Sequence, residues 1–409
     1  MTNQRAKLSI IFLTVFIDLI GFGIVIPVLP LYAKHFGATE TMNGWLVGSY
    51  SAMQFLAAPL LGKLSDRVGR RPVLLVSLLG TAIGFLMMGA APGLSVIVGA
   101  STLFWLFAAR IVDGISGGNI STAQAYIADI TTPEERTKAM GLIGAAFGLG
   151  FVFGPAIGGI LSQVSMGAPF YFAAALAAAN AILVFFRLPE SLAKENRSKP
   201  EDAAPFTEVI KHSAHLPALL GSYFFAITGF SIMTTNYALF TSERFGYDSK
   251  HNGYIFAFIG IIGALVQGGL LRRIVKDSNE KLIALIGGVL LALGLSLLPL
   301  SMGLPALLTF TALVGVGNSF ITPTLNGLAS RSASRSWQGR VIGLMQSAGS
   351  LGRWVGPFLG GWLLSRDAGH HATYGRTPFW VGAGILMIAV LCIMRLPTHP
   401  PAEPAKPRS

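Results

Sequence analysis

Apolar residues in this chain gather into twelve stretches, each long enough as a helix to cross the roughly 30 Å hydrocarbon layer of a bilayer, while polar residues are held mostly to the gaps. The first six predicted helices cover about 8–31, 45–62, 73–92, 98–127, 139–162 and 169–187. The second six cover about 218–240, 253–271, 281–300, 304–327, 341–364 and 378–395. Between Val73 and Ile127 the only strong break is Pro92, so the third helix is expected to stop there. A polar interval at about 189–216, holding Lys194, Glu195, Arg197, Lys199, Pro200, Glu201 and Asp202, separates the two sets. The pattern predicts an all-α membrane protein with twelve transmembrane helices in two six-helix bundles. Its expected divisions are a first bundle at 1–188, a linker at 189–216, a second bundle at 217–397 and a tail at 398–409.

The bundles echo each other. Gly141-Leu142 and the run Gly154-Pro155-Ala156-Ile157-Gly158-Gly159 recur 202 residues later as Gly343-Leu344 and Gly356-Pro357-Phe358-Leu359-Gly360-Gly361. Arg187-Leu188-Pro189 and Arg395-Leu396-Pro397 close the two halves alike. Parallel halves of this kind place a substrate site between them near the midplane, which points to transport.

Composition narrows the class further. Hydrophobic residues make up 52% of the 409 and charged residues only 12%, with a mean hydropathy of +0.62, too little charge to solvate a soluble globule of this size. The net charge of +12 is spread over loops and not gathered on one face, which excludes a nucleic-acid footprint. With both termini on one side, that side collects 23 of the 30 lysines and arginines, against Lys34, Arg244, Lys250, Arg366 and Arg376 on the other. By the positive-inside rule both termini are cytoplasmic. The first apolar run is too long for a signal-peptide core and no small-residue cleavage pattern follows it, so it should stay attached. Cys392 is the single cysteine and forms no disulfide within the chain.

One polar run stands apart. Gly62-Lys63-Leu64-Ser65-Asp66-Arg67-Val68-Gly69-Arg70-Arg71 packs charges and glycines between two hydrophobic segments and reads as a tight cytoplasmic loop. It resembles the signature between the second and third helices of the major facilitator superfamily. Asp18-Leu19-Ile20-Gly21-Phe22-Gly23-Ile24-Val25-Ile26-Pro27-Val28-Leu29-Pro30 is similar to the first helix of twelve-helix drug:proton antiporters, especially the tetracycline efflux group. Tyr50-x-x-x-Gln54, Arg110-Ile111-Val112-x-Gly114 and Ala125-Tyr126-Ile127-Ala128-Asp129-Ile130 extend the likeness through the first half, whereas the second half matches in architecture. Gly150-x-x-x-Gly154-Pro155-x-x-Gly158-Gly159 resembles the antiporter motif of the fifth helix, which the family associates with export. Physically, glycines four apart clear a face for close helix approach, and the echo in the eleventh helix shows that the pattern also serves packing alone.

Four charges fall at membrane depth. Asp18 lies about ten residues, or roughly 15 Å, into the first predicted helix. It is read either as a protonation site on the central cavity or as a packing acid bonded to its neighbours. Arg110 and Asp113, three apart on the fourth helix, share a face. They form a local ion pair, or a device in which Arg110 tunes when a carboxylate loads a proton. The resemblance links the arginine to proton translocation, and Asp113 stands where many relatives are uncharged. Arg353 completes two acids and two arginines, neutral when both acids are ionised and +1 with one proton loaded; the alternative is that Arg353 only snorkels or pairs with a carbonyl.

Asp66 is expected to gate the cytoplasmic mouth by engaging Arg70, Arg136 or a helix N-terminus, with Gly62, Arg67 and Gly69 completing the motif. The second half has Arg272 at the acid's place, so only the first half keeps the full signature. Tyr50, Gln54, Phe147, Phe151, Tyr223, Asn236, Asn318, Gln346 and Trp354 are candidate cavity residues, a mixture of rings and amides suited to amphiphilic or drug-like solutes. Tetracycline pumps carry an acid in the third helix where this chain has Gly84, which weakens a tetracycline–metal chelate as the substrate. No phosphate-binding glycine loop, metal-spaced Cys and His set or intramembrane His pair occurs, so neither an enzyme nor a nucleotide-driven pump is expected, and no cofactor or metal. The expected protein is a monomeric proton-coupled exporter of amphiphilic or drug-like molecules in a bacterial-type inner membrane, with a proton symporter or uniporter for a small metabolite as the alternative on the same fold.

Overall fold

The computed structural model describes residues 2–117, 119–192, 215–275, 279–332 and 338–397, so most of the expected linker and all of the tail lie outside the described residues. Helices account for all regular structure described: α1 (Thr2–His35), α2 (Glu40–Val68), α3 (Arg70–Val98), α4 (Thr102–Ser116), α5 (Asn119–Ile130), α6 (Pro133–Leu161) and α7 (Ala168–Arg187) in the first half. The second half has α8 (Leu216–Phe245), α9 (Ser249–Leu265), α10 (Leu271–Ile274), α11 (Glu280–Leu297), α12 (Leu304–Arg331), α13 (Gln338–Leu364) and α14 (Arg376–Met394). α4 with α5 makes the fourth membrane-length segment. α9, a π turn at Val266–Leu270 and α10 make the eighth. Twelve segments therefore stand where twelve were predicted.

Helix ends shift by several residues from their predicted places, and three of the differences have a physical reason. The run from Gly62 to Arg71 is not a loop: α2 continues through Val68, α3 starts at Arg70, and the whole turn is Gly69. Its φ of 113° is open to glycine and strained for other residues, which is why one residue suffices. Pro92 does not end the third helix, which runs on to Val98; within a membrane, neighbouring helices re-satisfy the backbone group a proline frees. The single fourth helix is instead broken after Ser116, and the carbonyl of Gly117 at the break accepts a hydrogen bond from Gln54 Nε2 at 2.8 Å. Helix starts are capped in the ordinary way, Thr39 Oγ1 accepting from Met42 N and Ser101 Oγ from Phe104 N, both at 3.2 Å.

The chain divides into two compact units. The first comprises the described residues of Met1–Asp202, Thr234–Ile261 and Pro357–Gly375, and the second those of Ala203–Met233, Ile262–Gly356 and Arg376–Ser409. Inside the first unit, Ile11, Val15, Leu74, Tyr126, Ile143 and Val184 form one apolar core near the end that carries Thr2, and Ile24, Leu29, Leu46, Met88, Leu106 and Phe170 form another towards the opposite, distal end. Large apolar side chains such as Leu60, Val76, Phe186 and Leu265 stay exposed, the outward face that a lipid-facing helix presents.

Glycine governs how closely these helices meet. A Cβ at Gly150 would fall 2.6 Å from Leu19 Cβ, one at Gly154 2.7 Å from the Ile20 carbonyl oxygen, and one at Gly158 3.0 Å from Ile24 Cα, so a single face of α6 lies directly on the backbone of α1. The next glycine turns to a different neighbour. Gly159 meets Gly253 of α9, and its counterpart 202 residues later, Gly361 of α13, meets Gly44 of α2, all within the first unit. Around these contacts at the distal end, Lys34 pairs with Glu243 at 3.4 Å, Tyr374 OH donates to Glu40 at 3.2 Å and Gln163 Nε2 donates to Asp248 at 3.1 Å. Burial pushes the Asp248 carboxyl up, but the His251 backbone N–H and ring and the Gln163 amide outweigh it and hold the group below the usual carboxylate range.

Gly154→Leu places a branched side chain against the α1 backbone and is expected to prevent a monodisperse fold, read by size-exclusion elution and thermal unfolding. Gly148→Ala on the same helix meets open space and should leave both unchanged or gain about 0.5–1 kcal/mol. Equal behaviour of the two variants would refute the α1–α6 contact.

Candidate functional site

Four helices of the first unit bring their polar residues to one small cavity of about 10 Å³, the size that admits a single water, lined by Asp18, Phe22, Tyr50, Thr81, Phe85, Arg110 and Asp113. Arg110 Nη1 donates to Asp113 Oδ2 at 3.2 Å, and both side chains are almost wholly buried. Arg110 Cζ also lies 4.4 Å from the centroid of the Tyr50 ring, a cation–π contact. Gln54 Nε2 donates to Tyr50 OH at 3.1 Å and so fixes that ring while it satisfies Gly117. Asp18 sits half-buried on the same cavity.

Glycines let these helices close around the charges. A Cβ on Gly114 would lie 2.6 Å from the Tyr50 carbonyl oxygen, so α4 rests on α2. A Cβ on Gly84 would lie 2.8 Å from Asp113 Cβ, so α3 rests on α4 at the acid itself. Two carboxylates and one guanidinium thus face a nearly dry space, −1 when both acids are ionised and neutral when one holds a proton. Arg110 Nε is buried without a hydrogen-bond partner among the described residues. An arrangement of this kind can hold one proton and feel its loss strongly, because Coulomb energies rise as water is excluded.

The second half supplies an internal comparison. Every buried position of α3, from Arg70 to Ala91, has a buried counterpart 210 residues later, from Glu280 to Ser301. Gly84 corresponds to Gly294, whose Cβ would lie 2.7 Å from Val314 Cγ2, 2.9 Å from Val314 N and 3.0 Å from the Phe310 carbonyl oxygen. Gly84 faces Asp113 and the Ala109 carbonyl in the same way. Val314 therefore stands for Asp113 and Thr311 for Arg110: the same helix contact is made in the second half without a charge.

The motif residues form a separate cluster at the end that carries Thr2. Arg70 is buried and pairs with Asp66, its Nε donates to Asp129 Oδ2 at 3.1 Å and its Nη1 to Ser65 Oγ at 2.7 Å. Glu190 caps α3, accepting from Arg70 N at 2.8 Å and Arg71 N at 3.2 Å, and Ser191 Oγ donates to Asp129 Oδ2 at 2.8 Å. Of the expected partners for Asp66 it is Arg70 that engages it; the Arg136 side chain lies outside what is described, Arg67 is exposed and Gly62 faces open space.

Other predicted residues are dispersed. Phe151 contacts Phe22 at 6.0 Å between centroids, Phe147 is exposed and Asn236 is buried, all in the first unit. In the second unit Arg353 Nη2 donates to Ser350 Oγ at 3.0 Å, buried Tyr223 lies where a Cβ on Gly349 would meet it, and Asn318 accepts from Thr322 at 3.2 Å. Trp354 there is half-buried and Gln346 exposed. Sequence reasoning missed Phe22, Thr81 and Phe85 as lining, and Asp129 and Glu190 as partners of the Arg70 cluster. Phe22 stands four residues after Asp18 and Phe85 four after Thr81, a one-face spacing that was available.

Comparison with known proteins agrees with this architecture. The family profile of the Major Facilitator Superfamily matches residues 11–357 and 278–409. The chain is 33% identical over 403 residues to the tetracycline resistance protein, class C, of Escherichia coli, covering 96% of this chain and 98% of that protein. It is 30% identical over 397 residues to multidrug resistance protein 2 of Bacillus subtilis, covering 94% and 96%. The crystal structure of the human organic anion transporter MFSD10 (TETRAN) superposes with a TM-score of 0.71 at 26% identity, covering 95% of this chain and 99% of that one. With twelve membrane-length helical segments among the described residues, an internal repeat and full-length likeness to these proteins, the chain is an integral membrane transporter of small molecules that belongs to the Major Facilitator Superfamily.

Proposed function

We propose that the chain exports amphiphilic or drug-like small molecules in exchange for protons, by alternating access, with both termini in the cytoplasm of a bacterial inner membrane. Asp18 and Asp113 carry the proton, Arg110 tunes its loading, and Arg353 acts on the second half's side. The single observation behind this reading is that Gly294 packs on the uncharged Val314 in the second half as Gly84 packs on Asp113 in the first, with Thr311 at the position that corresponds to Arg110. Packing does not need the charges, so their presence at membrane depth calls for another role. The full-length likeness to resistance proteins supports export. Asp66 and Arg70 serve as the cytoplasmic gate, the Gly150–Gly159 face as the rail on which helices close, and 1–188 and 217–397 as the moving halves joined by the linker. Tyr50, Gln54, Phe151, Tyr223 and Trp354 contribute rings and an amide to the solute path.

A second reading, symport or uniport of a small metabolite, shares every element of the fold. It draws on the likeness to a transporter described as one for organic anions. Purified protein in vesicles with an imposed proton gradient separates the two, by following lumenal pH while cationic, neutral and anionic solutes are added. Solute-dependent proton flux opposite to the solute supports export by exchange. Flux in the same direction supports symport, and solute movement without proton flux supports uniport.

Two variants test the coupling residues. Arg110→Thr with Asp113→Val copies the second half and is expected to fold with unfolding temperature equal to or above that of the parent, since an apolar replacement of a buried ion pair is often neutral or stabilising, while proton-linked flux disappears. Asp113→Val alone strands the Arg110 charge and should cost about 3–5 kcal/mol of stability. Coupled flux surviving in the double variant would remove Asp113 and Arg110 from the mechanism. Asp18→Asn is expected to abolish proton-linked flux with unfolding temperature little changed, and retained flux would return Asp18 to a packing role.

A further inference from the structure

We infer that Glu280 and Arg331 form, in the second half, the counterpart of the Arg70 cluster with its charges exchanged, and that this pair positions helix ends during the transport cycle. The second clause rests on the transporter reading above. By sequence the second half has lost the signature, because Arg272 occupies the place of the acid. The 210-residue register of burial shows where its equivalent went. Glu280 takes the place of Arg70, as the first residue of α11, and is itself buried.

Its partner follows the other repeat. Arg331 ends α12 and stands 202 residues after Asp129, which lies in the last turn of α5; that is the offset relating Pro155 to Pro357. Arg331 Nη2 contacts Glu280 Oε1, and Gly327 makes room for it, since a Cβ there would lie 3.0 Å from the same oxygen. Glu280 Oε2 is buried without a hydrogen-bond partner among the described residues, so this carboxylate leans on Arg331. The neighbours of Glu280 extend the tie. Asn279 Nδ2 donates to the Ile274 carbonyl at the end of α10 at 2.7 Å, and Lys281 Nζ donates to the carbonyls of Met394, at 2.8 Å, and Leu396, at the end of α14.

In the first half, Arg70 ties the end of α2 through Asp66 and the end of α5 through Asp129, and Glu190 beyond α7 caps α3. Each half thus binds the start of its third helix to the ends of its second, fourth and sixth. The polarity is opposite at the fourth and sixth helices, whereas the tie to the second helix is an uncharged amide–carbonyl bond in the second half. A cation reaches acids and an acid receives N–H groups in one half; an acid reaches a cation and a lysine donates to carbonyls in the other. What the halves share is the place of the tie and not the sign of its charges, so the loss of Asp66's equivalent at Arg272 is replaced, not left open.

The exposures predict an asymmetry. The Glu280 side chain is 6% exposed and Arg331's 36%, so Arg331 can turn to water when its partner is lost whereas Glu280 cannot. Hydrogen–deuterium exchange of the full chain in lipid nanodiscs reads the tie at residues 280–284 and 328–331. Arg331→Gln should raise exchange at both by about tenfold and Glu280→Gln by clearly less. Arg331→Lys, and Glu280→Arg combined with Arg331→Glu, should stay within about twofold of the parent, with exchange at 70–74 constant throughout. In vesicles the uncharged variants should lower the maximal solute rate and leave half-saturation unchanged. Exchange equal to the parent in both Gln variants, or an exchanged pair no better than they are, overturns the tie; raised exchange with an unchanged maximal rate overturns its role in the cycle. If Arg331→Gln does not fold, the lysine variant and the exchanged pair carry the test. Exchange needs no solute, so a tie seen there with no flux even in the parent faults the transporter reading and not the pairing.

Discussion

Lipid offers membrane helices almost no hydrophobic reason to associate, because a neighbouring side chain is no more apolar than an acyl chain. Close backbone approach must supply the contact energy instead, through many small dispersion terms at short range. That constraint accounts for the glycine face of α6 on α1, for Gly84 against Asp113, and for Gly159 against Gly253. Hydrogen bonding imposes the companion rule that a backbone group freed inside the membrane needs a partner. The α4–α5 break obeys it, because Gln54 bonds Gly117 and, with the same amide, Tyr50. A polar side chain needed for the break thereby fixes one wall of the charged cavity.

The two buried ionic arrangements of the first unit differ in how much they leave unmet. Around Arg70, Ser65, Asp66 and Asp129 meet the guanidinium while Glu190 meets the adjacent N–H groups, so the cluster is well satisfied. Around Arg110 a second acid shares the cavity and one guanidinium nitrogen lacks a partner among the described residues. A satisfied network holds one geometry. An under-satisfied one is more sensitive to a change of a single charge nearby, the property on which the proposed proton coupling draws.

Architecture was legible because period and length are properties of the sequence itself: twelve apolar runs became twelve membrane-length segments, and the Gly-Pro repeat identified α6 and α13 as equivalents. The turn at Gly69 was misread, since charges at the end of a run look like loop when they are the last turn of one helix and the first of the next. Pro92 misled for a related reason: its cost was judged by the rules of water-soluble helices. At the site, Asp18, Arg110 and Asp113 stood out as charges in apolar context and meet at one cavity. Their apolar lining did not stand out, because Phe22 and Phe85 look like any packing aromatic until the helices are placed. Asp129 and Glu190 are far from Arg70 in sequence, and long-range pairing carries no local signal.

The internal repeat changes how each half is to be understood. Where the burial of α3 and α11 agrees position by position, the shared features belong to the scaffold, and the differences are choices made on top of it. Gly84 and Gly294 are scaffold; Asp113 against Val314 is not. Arg70 and Glu280 are subtler, since the residue differs while the tie it makes is kept with its sign reversed. A charge that changes sign and still finds its partner is serving geometry. A charge that is present in one half and missing from the other, at the same packed contact, is not required by that contact; Asp113 is of that second kind, and the proposed proton coupling gives it a use.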